Sequence, residues 1–373
     1  MPNWVGDVVL SLPALRALRA AAPGDRLAVL CRPWVTDLYR LLPEVDQVLV
    51  EDARGEHAGA AGQEALAARI AKERFDRAIV FPTSFRSAWS LARAKVPVRI
   101  GYRGELRSLL LTRSVPLRLT AGEHQVFQHL RLAEAAGAAS PARPDTSWPV
   151  ERRERDDGQK VLREAGWRGE PFVAVHLASF AHAAKRWDLP RFASVLEALA
   201  AGRSFRAVLL GSASEREMND DAARLAGPAR PIDLSGKSTL PEVLGILATA
   251  SLFVGNDSGI SHLAAAAGTP TAVVFGPTDP EATRPWDGPR PDGGPSRVAI
   301  VRRAPLCAPC RFRICPIDHA CMTAVAPGDL LAAARRLLEP ETPAHFVPGF
   351  TGAEGRPEGP RETRPVPGFP IHI

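Results

Sequence analysis

SLFVGNDSGISHLAAAAGTPTAVVF, residues 251–275, reads as strand 251–254, a tight turn, helix 258–267 and strand 271–275. A strand, a helix and a second strand at this spacing form a βαβ unit, which requires a parallel sheet. The same alternation runs upstream: strand 172–177, helix 190–201, strand 206–210, helix 214–226, strand 231–234 and helix 240–249. The first part of the chain repeats it with helix 8–22, strand 27–31, helix 34–42, strand 47–50, helix 62–74 and strand 77–81. Between the two runs, residues 139–158 are rich in proline and charge and read as a linker, with a helix near 157–166 opening the second unit. The fold class is therefore α/β, with two Rossmann-like, doubly wound parallel-sheet domains.

The expected boundaries are 1–148, 149–326, a closing helix within 327–340, and a tail at 341–373. The tail carries seven prolines and five glycines, repeats VPGF, and is expected to be disordered. The chain opens directly at the loop PNWVGD, where a parallel sheet would normally begin with a strand. A further strand of about eight apolar, β-branched residues is expected upstream, or another segment in its place.

Composition narrows the function classes. Of 373 residues, 45% are hydrophobic and 24% charged, the usual globular mixture. No run of about 18 apolar residues exists to cross a bilayer, and no basic stretch leads into an apolar signal segment. Five cysteines make no disulfide scaffold, and a reducing cytoplasm is the expected compartment. The net charge of +6 favours anionic partners. Arginine is unevenly dense at 86–118, where Arg86, Arg93, Lys95, Arg99, Arg103, Arg107, Arg113 and Arg118 face a single carboxylate, Glu105. That stretch is either a solvated face or an anion-binding surface.

In VGNDSGISHLAAAAG (254–268), Asp257 or Ser258 caps the helix, and the amides of Ser258, Gly259 and Ile260 open at the carboxyl end of the sheet. A helix start with a glycine for close approach suits a diphosphate, with His262 one turn in. The plainer alternative is a well-capped helix bearing a surface histidine. In HLASFAHAAKRWDLP (176–190), a small-residue loop containing Ser179 leads to Lys185, which either neutralises a leaving phosphate or lies on the surface beside a packed Trp187. Glu215, after strand 206–210, is a candidate acceptor for ribose hydroxyls. Asp7 is either a helix cap or a general base.

Cys307, Cys310, Cys315 and Cys321, with His319 nearby, are spaced for a structural zinc site, for reduced thiols, or for a redox centre. GKST at 236–239 lacks the upstream glycine of a P-loop, and no G-x-G-x-x-G, G-x-S-x-G or helix-turn-helix pattern is present. Nucleic acid is not an expected partner.

PNWVGDVVLSLPALRAL at the start, FPTSFRSAWSLARAKVPVRIGYRGELRSLLLT at 81–112, AKRWDLPRF at 184–192, LSGKSTLPEVLGILATASLFVGNDSGISHLAAAAGTP at 234–270, and FGPTDP at 275–280 together resemble the glycosyltransferase family 9 heptosyltransferases. The resemblance implies a GT-B architecture whose final helix crosses back to the first domain. It also implies an inverting transfer of L-glycero-D-manno-heptose from ADP-heptose to the heptosyl-Kdo2-lipid A inner core at the cytoplasmic leaflet. On that reading Asp7 is the base. Lys185, with Ser179, Glu215, Asp257, Ser258, Gly259, Ile260 and His262, binds the donor. Arg86, Arg99, Arg103 and Arg107 hold acceptor phosphates and carboxylates. No cofactor is required for catalysis. A family member using another nucleotide sugar, and a non-catalytic protein on the same scaffold, are the alternatives.

Overall fold

The computed structural model describes residues 1–104, 106–117, 122–179, 182–203, 205–227, 231–287, 296–310 and 312–339. The tail expected to be disordered, 341–373, lies outside them, as do Glu105 and Arg118.

The N-terminal lobe runs α1 (Val5–Ala21), β1 (Ala28–Cys31), α2 (Thr36–Arg40), β2 (Gln47–Val50), α3 (Gly59–Lys72), β3 (Arg77–Val80), α4 (Phe85–Arg93), β4 (Val98–Tyr102), β5 (Arg113–Val115) and α5 (Gln125–Ala135). The C-terminal lobe runs α6 (Arg152–Glu164), β6 (Phe172–His176), α7 (Leu189–Arg203), β7 (Arg206–Leu210), α8 (Arg216–Leu225), β8 (Ile232–Asp233), α9 (Leu240–Thr249), β9 (Leu252–Asn256), α10 (Gly259–Ala266), β10 (Thr271–Phe275), α11 (Pro280–Thr283), β11 (Val298–Arg302), α12 (Ala320–Thr323) and α13 (Pro327–Leu338).

The C-terminal sheet has six strands in the order β11-β10-β9-β6-β7-β8, every pairing parallel. Its central strands β6, β9 and β10 are buried at every position, because helices cover both faces of a parallel sheet. That double burial explains why FVAVH and TAVVF are near-continuous apolar runs. The N-terminal lobe holds two separate parallel sheets, β1-β2 and β3-β4-β5. Among the described residues no strand precedes α1. The Met1 ammonium donates to Leu30 O on β1 at 2.8 Å, and its burial lowers its pKa to about 6.

One apolar core spans both lobes. Val8, Val9, Leu12, Leu15, Val35 and Leu38 of the first half pack in the same cluster as Phe172, Val208, Leu244, Phe253 and Leu263 of the second. Residues Val8–Leu15 of α1 are all buried, and α1 packs against α10. Within the C-terminal lobe α6 and α9 meet at backbone distance: a Cβ on Gly245 would stand 1.8 Å from Glu154 O. Only glycine permits that approach.

Two expectations about the helices need correction. The last helix among the described residues, α13, does not cross back to the first domain. Leu330, Ala333 and Ala334 of α13 bury against Val173, Leu196, Val274 and Ala299 of the second lobe, and Asp329 near its start pairs with Arg303 after β11 at 2.7 Å. The apolar stripe of α13 finds its partner on the sheet beside it. Nor does Asp7 cap α1: the helix begins at Val5 with Trp4 at its N-cap, no side chain bonds the cap, and Asp7 lies inside the first turn.

Candidate active site

The N-termini of α1 and α10 face one another where the lobes meet. A Cβ on Gly259 would come within 2.8 Å of Val5 Cβ, so the contact depends on glycine at that position. Gly259 opens α10, whose Gly259 and Ile260 amides precede the first intrahelical acceptor, while Ser261 N donates to Ser258 O at 3.1 Å, and whose dipole favours an anion. Ser258, not Asp257, is the N-cap, with a reciprocal box to Ser261. Asp257 instead accepts from Thr278 Oγ1 at 2.6 Å and pairs with Lys185 Nζ at 2.7 Å, and its backbone carbonyl accepts from Ser179 Oγ at 3.3 Å. Lys185 is therefore fixed at the carboxyl end of β9 by a buried carboxylate. Trp187, two residues on, is buried and takes its place through Asn256, whose Oδ1 accepts from Trp187 N.

His262 is not on the surface. Its ring lies against Gly6 of α1, it is 6% exposed, and its Nδ1 has no hydrogen-bond partner. Burial lowers its pKa to about 4, with Lys185 lowering it further and Asp257 opposing, so the ring is neutral at physiological pH. Glu215 sits at the carboxyl end of β7. Burial raises its pKa, but His176 and the Ser212 amide, which donates at 2.7 Å, outweigh this and hold it at about 2. His176 links two expected site residues: Nδ1 is 3.0 Å from Ser258 Oγ and Nε2 is 3.8 Å from Glu215 Oε2.

Across the junction, half-buried Asp7 accepts from Gln125 Nε2 at 3.0 Å. Burial raises its carboxyl to about 6, while the Gln125 bond and the Lys185 charge pull the other way. A carboxylate raised to that value, within electrostatic reach of a fixed ammonium, is the arrangement of a general base beside an anion-stabilising group.

The comparisons agree with the geometry. Residues 64–315 match the profile of glycosyltransferase family 9 (heptosyltransferase). The chain belongs to this family. It is 28% identical over 293 residues to lipopolysaccharide heptosyltransferase 2 of Salmonella typhimurium, covering 76% of this chain and 83% of the relative. Among solved structures, Escherichia coli ADP-heptose LPS heptosyltransferase II superposes with a TM-score of 0.74 at 24% identity, covering 90% of this chain and 96% of that one. A family 9 glycosyltransferase from Veillonella parvula gives 0.78 at 21%, covering 91% and 95%. The protein is a glycosyltransferase with the GT-B fold.

In this family 9 enzyme the expected arginines divide. Arg103 is exposed just beyond the carboxyl end of β4. Arg86 pairs with Glu51 at 3.1 Å and donates to His57 O at 2.9 Å. Arg99 is corrected: it lies at the amino end of β4, and its guanidinium is bound to the carbonyls of Leu110 and Val96. Arg107 is corrected too. It is 2% exposed and donates to Tyr102 O at 2.9 Å and Val80 O at 3.3 Å, tying the ends of β4 and β3. It has no carboxylate partner among the described residues, and burial lowers its pKa to about 10.

The four cysteines of this stretch share one neighbourhood, where Cys310, Cys315 and Cys307 each add to the effect of burial in pushing the Cys321 thiol up. Cys307 is exposed, Cys310 and Cys315 are partly exposed, and Cys321 is buried, with burial raising its thiol to about 11. Among the described residues no group of three or more His, Cys, Asp or Glu is placed to hold a metal ion, so the zinc expected from Cys307, Cys310, Cys315 and Cys321 finds no ligand set.

Sequence reasoning overlooked three residues of the site. His176 was read as part of a strand, yet it is the last residue of β6 and so opens at the ligand edge. Thr278 sits in the FGPTDP turn after β10, and nothing in the sequence marks its hydroxyl as the partner of Asp257. Gln125 reaches Asp7 across 118 positions of sequence, and nothing local announces it.

Proposed function

We propose that this enzyme transfers L-glycero-D-manno-heptose from ADP-heptose to the heptosyl-Kdo2-lipid A inner core of lipopolysaccharide, with inversion. The observation that carries the reading is that Lys185, held at 2.7 Å by Asp257, stands within electrostatic reach of Asp7 at the junction of the lobes. The names of the heptosyltransferase 2 relatives support the sugar and the glycan class.

On this reading the ADP diphosphate lies against the α10 amides and Lys185, and Glu215 accepts from ribose hydroxyls. Asp7 takes the proton of the acceptor hydroxyl as its oxygen bonds the anomeric carbon. The bond from that carbon to the diphosphate oxygen breaks with its electron pair going to ADP. Lys185 and the α10 dipole stabilise the departing charge. Neutral His262 adds no repulsion to the Lys185 ammonium. Arg103 meets the anionic groups of the acceptor.

Turnover with ADP-heptose and a defined Kdo2-lipid A acceptor bearing one heptose, set against other nucleotide sugars, tests the assignment. Transfer from ADP-heptose with inverted anomeric configuration is expected. Transfer only from another nucleotide sugar would replace the donor, and retained configuration would remove Asp7 as a base acting on the acceptor.

Asp7 is faced by Gln125 from α5, by Lys185 and by Tyr39 from α2, whose own ionisation it opposes, while the His262 ring of α10 lies against the neighbouring Gly6. As a base it works ionised, so kcat/KM is expected to fall as pH drops through about 6. Gln125→Met removes the hydrogen bond that favours the ionised form. The acid limb should then move up by about one pH unit with donor KM unchanged. A limb that stays in place would deny Gln125 a positioning role.

A further inference from the structure

Residues 303–310 and 312–319 join β11 to α12 and carry an unusual surface. Leu306 is fully exposed, and Phe312, Ile317 and Ile314 are 54%, 68% and 76% exposed. Scattered exposed leucines are ordinary on a protein, but four large apolar side chains on one short connection mark a contact site. Exposed Arg313 stands among them, and exposed Arg186 lies on the neighbouring turn. The acids nearby are engaged locally: Asp318 accepts from Ala320 N at the start of α12, and Asp188 pairs with Arg191. The cations are thus left to face outward.

The connection is fastened to the rim of the cleft. Ala184 N donates to Arg313 O at 3.0 Å, and His319 Nε2 is 2.6 Å from Ala184 O, beside Lys185. Cys310 N donates to Pro277 O at 2.9 Å, beside Thr278. Bonds at Cys310, Arg313 and His319 hold the connection beside the donor site while its apolar side chains stay exposed. Among the described residues no helix is long and apolar enough to cross a bilayer, so contact with a membrane has to be made from the surface.

We infer that this connection is a membrane-docking surface that sets Leu306, Phe312, Ile314 and Ile317 into the interface of an anionic bilayer, with Arg186 and Arg313 on the lipid headgroups. Apolar tips flanked by arginine are the combination that holds a protein at such an interface: apolar area supplies the insertion and the cations supply the selectivity for negative charge. The inference extends the proposed function, whose acceptor is anchored in a bilayer by its lipid. A transferase acting there needs its cleft rim at headgroup level.

The test does not depend on catalysis. The full chain is sedimented with vesicles of phosphatidylcholine alone or of phosphatidylcholine with phosphatidylglycerol, at low and high salt. Binding is expected to the anionic vesicles and to weaken with salt. The variant L306S/F312S/I314S/I317S should lose at least about tenfold in vesicle affinity at unchanged melting temperature. Arg186→Glu with Arg313→Glu should abolish the preference for anionic lipid. A wild-type chain that stays in the supernatant with both vesicle types would overturn the inference, as would a fourfold variant that binds within about twofold of wild type. A wild-type dimer that the fourfold variant converts to a monomer, with vesicle binding unaltered, would overturn it in favour of a self-association face. Loss of vesicle binding with transfer to a deacylated acceptor intact would support the docking surface whatever donor the enzyme uses.

Discussion

Asp7→Asn is expected to reduce turnover about 1,000-fold while ADP affinity stays within about twofold. The amide keeps the shape and the hydrogen-bonding capacity toward Gln125 but cannot take a proton. Stability gives an independent check on the cause. The folded-state pKa of Asp7 is about 6 against an ordinary 3.8, so the ionised carboxylate is less favourable in the fold than in the unfolded chain. That cost is absent below the ordinary value and grows as pH rises through the folded one. Removing the charge should therefore leave the melting temperature at pH 7 equal or higher. Lost turnover in a protein at least as stable as wild type isolates the chemistry. Turnover within about tenfold of wild type would exclude Asp7 as the base.

Lys185→Ala acts in two ways, and the measurements separate them. The ammonium is a direct counter-charge for the departing diphosphate, so kcat should fall about 100-fold and ADP affinity should weaken. The substitution also strands Asp257, which is 4% exposed and paired with Lys185 at 2.7 Å. Breaking a buried pair by deleting one partner costs about 3 kcal/mol, seen as a lower denaturation midpoint. Adding Asp257→Asn removes the stranded charge while Thr278 retains a hydrogen-bond acceptor, so stability should return and turnover should not. If the double substitution restored turnover, Lys185 would be a structural cation only.

The sheets were largely legible because parallel strands covered on both faces leave unbroken apolar runs. QVLV, RAVLL and TAVVF were placed to the residue. The strands missed are β4, β5 and the edge strand β11, whose VAIVR is apolar and buried but follows a long proline- and glycine-rich stretch. VRIGY, β4, carries an arginine and a glycine and lies within a stretch that reads as basic surface. RSV, β5, is three residues long. The linker is shorter than its composition suggests, because α6 opens at Arg152 on a capping box of Glu151 and Glu154 that reads as mere charge.

The donor edge was legible for a related reason: helix starts and strand ends are local events, so Gly259, Lys185 and Glu215 announce themselves. Side-chain direction is not local. Arg99 and Arg107 stand in the same basic stretch as Arg103, but the amino end of a strand and a buried gap between strand ends take the first two out of the cleft.

The seam around α1 has a bearing on how this enzyme comes apart and how it is inherited. Because Val8, Leu12 and Leu38 share one interior with Phe253 and Leu263, heat should dismantle the two halves in a single calorimetric peak. For the same reason a chimera joining one half to its counterpart from a relative would meet a mismatched seam, so the halves have to drift together.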